Sequence, residues 1–149
     1  MIRPAPLDTV NMPRSLPLLV VDDTEICRLG TALMLEQFGF KTETADYGFE
    51  ALNKLENVSY GAVIMDYDME DMTGAECTEQ LRKMETGTNR DIPVICMSSN
   101  DGPVVREKCL KAGMVTVLEK TCPAGRVLEV LEKVLCRLPA SDGEGAGGH

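Results

Sequence analysis

Histidine is all but missing from this 149-residue chain: the only one, His149, is the last residue. No imidazole is placed inside the folded part to act as base, nucleophile or metal ligand. The cysteines, Cys27, Cys77, Cys96, Cys109, Cys122 and Cys136, are scattered and form no C-x-x-C pair. They read as reduced thiols packed as small hydrophobes, which disfavours a thiolate metal site and suits a cytoplasmic protein. No apolar run approaches the about 18 residues that span a bilayer. The opening stretch MIRPAPLDTVNMPRS lacks the apolar core of a secretory signal, so neither secretion nor membrane insertion is expected. Basic residues are also short, 15 against 24 acidic ones, for a net charge of −9. That balance argues against nucleic acid as a partner, because non-specific binding needs a basic face. No internal repeat is present.

What remains is 44% hydrophobic and 26% charged, the composition of one globular domain able to bury a core. Residues 1–16, with Pro4, Pro6 and Pro13, show no periodicity and are expected to be a flexible leader or linker. The glycine-rich stretch PASDGEGAGGH, residues 139–149, is expected to be a disordered tail. No second folded region or output domain is expected after the last helix, which leaves a stand-alone unit or a fragment of a larger regulator equally open.

Between these ends, residues 17–138 alternate strand-like and helix-period segments five times. LLVV (18–21) precedes a helix near 25–37 with Ile26, Leu29 and Leu33 on one face. FKTETA (40–45) precedes one near 48–58 with Leu52 and Leu55. AVIM (62–65) precedes one near 74–85 with Cys77, Leu81 and Met84. VICM (94–97) precedes one near 103–112, opened by Pro103. VTVL (115–118) precedes one near 124–137 with Val127, Leu131, Val134 and Leu138. Such alternation predicts an α/β fold, a (βα)5 doubly wound parallel sheet with helices on both faces. The first, third and fourth strands are apolar throughout, as strands buried on both faces must be, whereas the second and fifth carry polar residues that suit edges. The order 2-1-3-4-5 follows, with its topological switch, and hence the expected ligand crevice, between strands 1 and 3.

The residues just past the strand ends carry the chemistry: Asp22 and Asp23, Asp66, Ser98 and Ser99, and Glu119 with Lys120. Taken singly, an Asp after a strand is usually a turn or helix cap, and a lone Lys is solvated surface. Their convergence on one end of one sheet is what gives them chemical meaning. Carboxylates about 4–5 Å apart repel by about 1 kcal/mol per pair in water and about 4 kcal/mol at an effective dielectric near 20. A divalent cation removes that penalty, and oxygen ligands without histidine or cysteine favour Mg2+. With Lys120 as a second positive charge and Ser98 as a hydroxyl donor, the set matches the needs of phosphoryl transfer.

The segments LLVVDD, TADYGFEAL, VIMDYDMEDMTG, IPVICMSSN and KAGMVTVLEK together resemble the receiver domain of two-component response regulators, in that family's order and spacing, over about residues 17–137. The resemblance implies a flavodoxin-like receiver fold in which Asp66 accepts a phosphoryl group from a phosphohistidine on a histidine kinase or histidine phosphotransfer protein. Asp22 and Asp23 match the family's acidic pair that holds Mg2+, with Asp66 and the backbone carbonyl of Asp68 as further ligands. Ser98 matches the hydroxyl that contacts the phosphoryl group, and Lys120 the lysine that pairs with it. Asp68 and Asn100 fall where the family tunes hydrolysis of the acyl phosphate, while Glu70 and Asp71 are expected to be solvated loop acids. A downstream protein target is expected at the helix 4–strand 5–helix 5 face or at helix 1.

Three positions depart from the family's pattern. Glu70 replaces a proline and frees a backbone N–H. Val117 stands where an aromatic side chain usually couples phosphorylation to the surface. Thr121 replaces a proline preceded by a cis peptide, and because a non-proline cis bond costs about 3–4 kcal/mol, Lys120–Thr121 is expected to be trans. The expected activity is therefore confined to the chain's own phosphorylation and dephosphorylation. Two alternatives remain. One is a pseudo-receiver that binds partners without phosphorylation. The other, disfavoured by Glu70 and by the position of Asp66 on the third strand, is a haloacid-dehalogenase-type phosphatase built on Asp66 and Asp68.

Overall fold

Four or five consecutive residues of β1 (Leu18–Val21), β3 (Ala62–Asp66) and β4 (Val94–Ser98) are buried without a break. β2 (Thr42–Ala45) and β5 (Thr116–Glu119) are only partly buried. In this computed structural model, which describes residues 16–99 and 102–140 and side chains as far as Leu135, the five strands form one parallel sheet in the order β2-β1-β3-β4-β5. The continuous apolar strands lie inside and the mixed ones at the edges, because only an interior strand has both faces covered by helices. Most of the expected leader, the tail from residue 141 and Asn100 lie outside the described residues.

The crossovers are α1 (Glu25–Gln37), α2 (Gly48–Asn57), α3 (Gly74–Arg82), α4 (Pro103–Ala112) and α5 (Ala124–Ala140). α5 runs through Pro139 to Ala140, past the expected end near residue 137. One core forms where α2, α3 and α4 cover the sheet, around Leu19, Leu55, Met65, Leu81, Cys96 and Val117. The other forms beneath α1 and α5, around Val20, Leu35, Ile64, Ile95, Leu131 and Leu135. Alternate residues of the central strands feed the two cores, as the pleat requires.

α1 departs from the pattern of the other helices. Its Ile26, Leu29 and Leu33 do share a face, but that face looks outward, 80%, 53% and 57% exposed, while Ala32 and Leu35 are the residues that seat the helix. Helical spacing shows that a stripe exists and not which stripe meets the sheet. A small residue and one leucine suffice for the close approach to the sheet, and the larger apolar stripe is left on the surface.

Local chemistry at the helix starts shapes the functional edge. α3 opens with a capping box, in which Glu76 N–H donates to Thr73 Oγ1 (3.1 Å) and Thr73 N–H donates to Glu76 Oε1 (2.9 Å). α2 has no side-chain cap from its own N-cap residue, Tyr47. Its cap is Asp71 in the β3–α3 loop, whose carboxylate accepts from Gly48 N–H (3.0 Å) and Phe49 N–H (2.9 Å). Asp71 is thus not the solvated loop acid expected; the positive end of α2 holds it and ties the loop after Asp66 to a second helix. Gly74 is needed for proximity rather than for an unusual backbone angle: a Cβ there would lie 2.6 Å from the Asp66 carbonyl oxygen and 3.2 Å from Met114 Cε. Gly74→Ala should therefore push α3 off the end of β3 and lower stability by about 1–3 kcal/mol. Denaturant titration measures this, and an unchanged midpoint would contradict the close approach.

Candidate functional site

All five strands end at one edge, so residues far apart in sequence meet there. Asp22 follows β1, and its Oδ1 accepts the Thr24 N–H (2.9 Å), turning the chain into α1. Its carbonyl oxygen accepts from Arg28 Nη1 (2.9 Å), and Arg28 Nη1 also pairs with Asp46 (3.3 Å). Asp66 ends β3 opposite Met97 of β4, and Tyr67 N–H donates to the Met97 carbonyl (3.2 Å). Ser98, fully buried, ends β4 opposite Glu119, and Lys120 N–H donates to the Ser98 carbonyl (2.9 Å). That register brings the Lys120 side chain back over the same edge.

The ammonium of Lys120 lies 3.2 Å from Asp22 Oδ2 and 3.1 Å from Asp66 Oδ1. Asp22, Asp23 and Asp66 each offer a carboxylate oxygen, and these oxygens lie within 4.8 Å of one another. Asp22 and Asp66 are buried and Asp23 is partly exposed. The second oxygen position of Asp23 is fixed from across the site, because Glu70 N–H donates to its Oδ2 (3.0 Å). This is the N–H that a proline at position 70 would lack. Asp22, Asp23, Asp66, Ser98 and Lys120 are therefore brought to one edge, as the strand ends imply. The Asp68 carboxylate is exposed and outside the acid cluster, while its backbone bridges to Thr73. Val117 faces the core beneath α2–α4, and its carbonyl accepts from Arg106 Nη2 (3.1 Å). No cis peptide occurs among the described residues, so Lys120–Thr121 is trans.

Burial raises the Asp66 carboxyl from an ordinary 3.8 to about 6; the charge of Asp22, with a smaller push from Asp23, adds to burial, and Lys120 opposes it. Burial alone would lower the Lys120 ammonium, but its hydrogen bonds and charge interactions with Asp66 and Asp22 outweigh that and raise it. Three carboxylates against one ammonium leave the edge short of positive charge. The donors are all hard oxygens in mutual reach, which fits a hard divalent cation such as Mg2+ rather than zinc or copper.

Sequence reasoning did not find Arg28, which braces the turn carrying Asp22, or Asp71, which anchors the loop after Asp66. Neither has a local signal, since their partners are reached only by folding. Glu70 did leave a trace, its unexpected N–H, but not the identity of its acceptor.

The response regulator receiver domain model matches residues 18–132, and the chain belongs to that family. It is 32% identical over 118 residues to the sensory/regulatory protein RpfC of Xanthomonas campestris pv. campestris, covering 79% of this chain and 16% of RpfC. It is 30% identical over 127 residues to the sensor histidine kinase RcsC of Salmonella typhimurium, covering 85% of this chain and 13% of RcsC. The chain thus spans less than a fifth of these curated relatives. Among solved structures, the CheY-like receiver domain protein of Methanospirillum hungatei superposes with a TM-score of 0.76 at 24% identity, covering 85% of this chain and 98% of that one. The receiver domain of the sensor histidine kinase PA1611 of Pseudomonas aeruginosa, described with a magnesium ion coordinated in its active-site cleft, gives 0.72 at 27% identity, covering 79% and 95%. Among the described residues, no helix is long and apolar enough to cross a membrane.

A raised carboxyl holds its proton more tightly in the folded state than in the unfolded one, so its contribution to stability falls as pH rises from about 4 through 6. Asp66→Asn removes that burden while keeping the shape. Without divalent cations at neutral pH the variant should be more stable than wild type by about 1–3 kcal/mol, a gap that narrows towards pH 5 as wild-type Asp66 protonates. Denaturant titrations across that range measure it. A variant less stable at neutral pH, or a gap that widens on acidification, would contradict this account.

Proposed function

We propose that the chain is the phosphoacceptor of a two-component phosphorelay, with Asp66 as nucleophile. The observation that carries this reading is the Lys120 ammonium, 3.2 and 3.1 Å from Asp22 and Asp66, over a carboxylate cluster at the topological switch of the sheet. One Asp66 oxygen attacks the phosphorus of a phosphohistidine on a histidine kinase or histidine phosphotransfer protein. The P–N bond breaks, its electron pair returns to the imidazole, and an acyl phosphate forms on Asp66. Lys120 then exchanges part of its contact with Asp66 for a phosphoryl oxygen, and Ser98, buried at the end of β4, donates to another. Asp22, Asp23 and Asp66, with the Asp68 carbonyl, would hold Mg2+, which when bound neutralises charge on the phosphoryl oxygens. Glu70 N–H, bonded to Asp23 Oδ2, would hold that carboxylate in place for the cation. The exposed Asp68 side chain would help set the lifetime of the acyl phosphate, a role the family's sequence pattern also gives to Asn100. The chain turns over no external substrate in this reading and acts as a cytoplasmic signalling element.

The donor docks on α1 rather than on the α4–β5–α5 face. The exposed Ile26–Leu29–Leu33 stripe adjoins the acid edge, since α1 begins directly after Asp22 and Asp23. On β5 the buried Val117 offers no aromatic ring to carry a signal to the other face.

Acetyl phosphate with Mg2+ should add one phosphoryl group, mapped by mass spectrometry to Asp66, and Asp66→Asn should abolish it. Leu29→Glu should leave this labelling intact while slowing transfer from a phosphohistidine donor by about tenfold or more. Equal labelling of the Asn variant would refute the acceptor assignment. Undiminished donor transfer to Leu29→Glu would refute the docking face.

A further inference from the structure

Beside the acid edge lies a cavity of about 260 Å³, lined by α1, the β5–α5 loop with the start of α5, and the ends of the inner strands. Asp22, Asp66 and Lys120 contribute to its polar part. Much of the rest is soft and apolar, and includes four sulfur side chains, Cys27 and Met34 of α1, Met97 of β4 and Cys122 of the β5–α5 loop. Among the described cysteines, Cys77, Cys96 and Cys109 are fully buried, whereas Cys27 and Cys122 are partly exposed. The two accessible thiols, on different elements, thus open onto one cavity, and that cavity reaches Asp66.

We propose that this cavity is a thiol-modification site, at which Cys27 and Cys122 exchange with a small neutral or cationic disulfide and the attached group obstructs Asp66. In each exchange a cysteine sulfur, having lost its proton, attacks one sulfur of the incoming disulfide. A new S–S bond to the protein forms, the old S–S bond breaks, and the departing thiolate takes up the proton. The net change converts protein thiol plus disulfide into mixed disulfide plus free thiol, with no other oxidant. Access rather than acidity selects these positions, because burial raises the Cys122 thiol above its ordinary value. Charge selects the reagent: in the lining the carboxylates of Asp22 and Asp66 outnumber the one ammonium of Lys120, and with a net charge of −9 they disfavour an anionic disulfide. The attached group lies in the space beside the proposed nucleophile and against Ile26 of the proposed docking stripe, so it would hinder acceptance and docking alike. The obstruction rests on the phosphoacceptor role of Asp66; the modification itself does not.

The test uses the full chain carrying Cys136→Ser under native conditions, with Mg2+ left out of the thiol exchange and added only for the acetyl phosphate step. The protein is treated with cystamine or, separately, with oxidised glutathione. Adducts are mapped by peptide mass spectrometry, and labelling of Asp66 by acetyl phosphate follows. Cystamine should modify Cys27 and Cys122 but not Cys77, Cys96 or Cys109, and should do so faster than oxidised glutathione. Labelling should then slow by about tenfold or more and recover on reduction with dithiothreitol. A Cys27→Ala/Cys122→Ala protein should label normally with or without cystamine. The proposal is overturned if the three buried thiols react as fast, if glutathione reacts as fast as cystamine, or if adducts form at the cavity and labelling is unchanged. Failure of the untreated protein to label overturns the reading of Asp66 and the obstruction with it, while the adduct map still decides the modification site.

Discussion

The repulsion among Asp22, Asp23 and Asp66 is the constraint on which the rest of the structure depends. Folding forces the three together, because β1 and β3 are neighbours and parallel, so their carboxyl ends share an edge. The surrounding parts answer that repulsion. Lys120 supplies the internal counter-charge, Glu70 N–H takes one oxygen of Asp23, Thr24 N–H takes one of Asp22, and Arg28 braces the turn beneath. The Asp66 carboxyl is raised first by its burial and then by the Asp22 charge, with Lys120 opposing both. A divalent cation held by these oxygens would relieve the repulsion among them.

How well the sequence revealed this structure depended on how local each determinant is. Strand burial is written into runs such as LLVV and VICM, so sheet order and the switch point could be read directly. Four of the five acid-edge groups follow at once from strand ends, and Ser98 from the same logic. The α1 stripe shows the opposite case. Ile26, Leu29 and Leu33 have ideal spacing for a core face, yet Ala32 and Leu35 seat the helix, because periodicity carries no information about which neighbour covers a face. Long-range polar ties were equally hidden. Asp71 caps a helix more than 20 residues earlier in the chain. Buried Asn89 donates to the carbonyls of Leu55 and Val58 and accepts from Tyr60 N–H. Nothing beside Asp71 or Asn89 in sequence announces the partner.

The departures from the family's residues fall around the site and leave its acids intact. Glu70 supplies an N–H that is used, Thr121 follows a trans peptide, and Val117 fills core volume without a ring. Cys27 and Cys122 line the cavity that opens beside Asp66. The acid cluster and its lysine are thus kept, and α1 beside them carries an exposed apolar stripe.

The measurement closest to the central claim is a magnesium titration of the isotope-labelled protein followed by amide chemical shifts, for wild type and Lys120→Gln. If carboxylate repulsion is the source of cation affinity, wild type should show saturable one-site shifts centred on residues 22–24 and 66–70. Lys120→Gln, lacking the competing ammonium, should bind more tightly. No saturable shift at those residues, or weaker binding by the variant, would contradict the account.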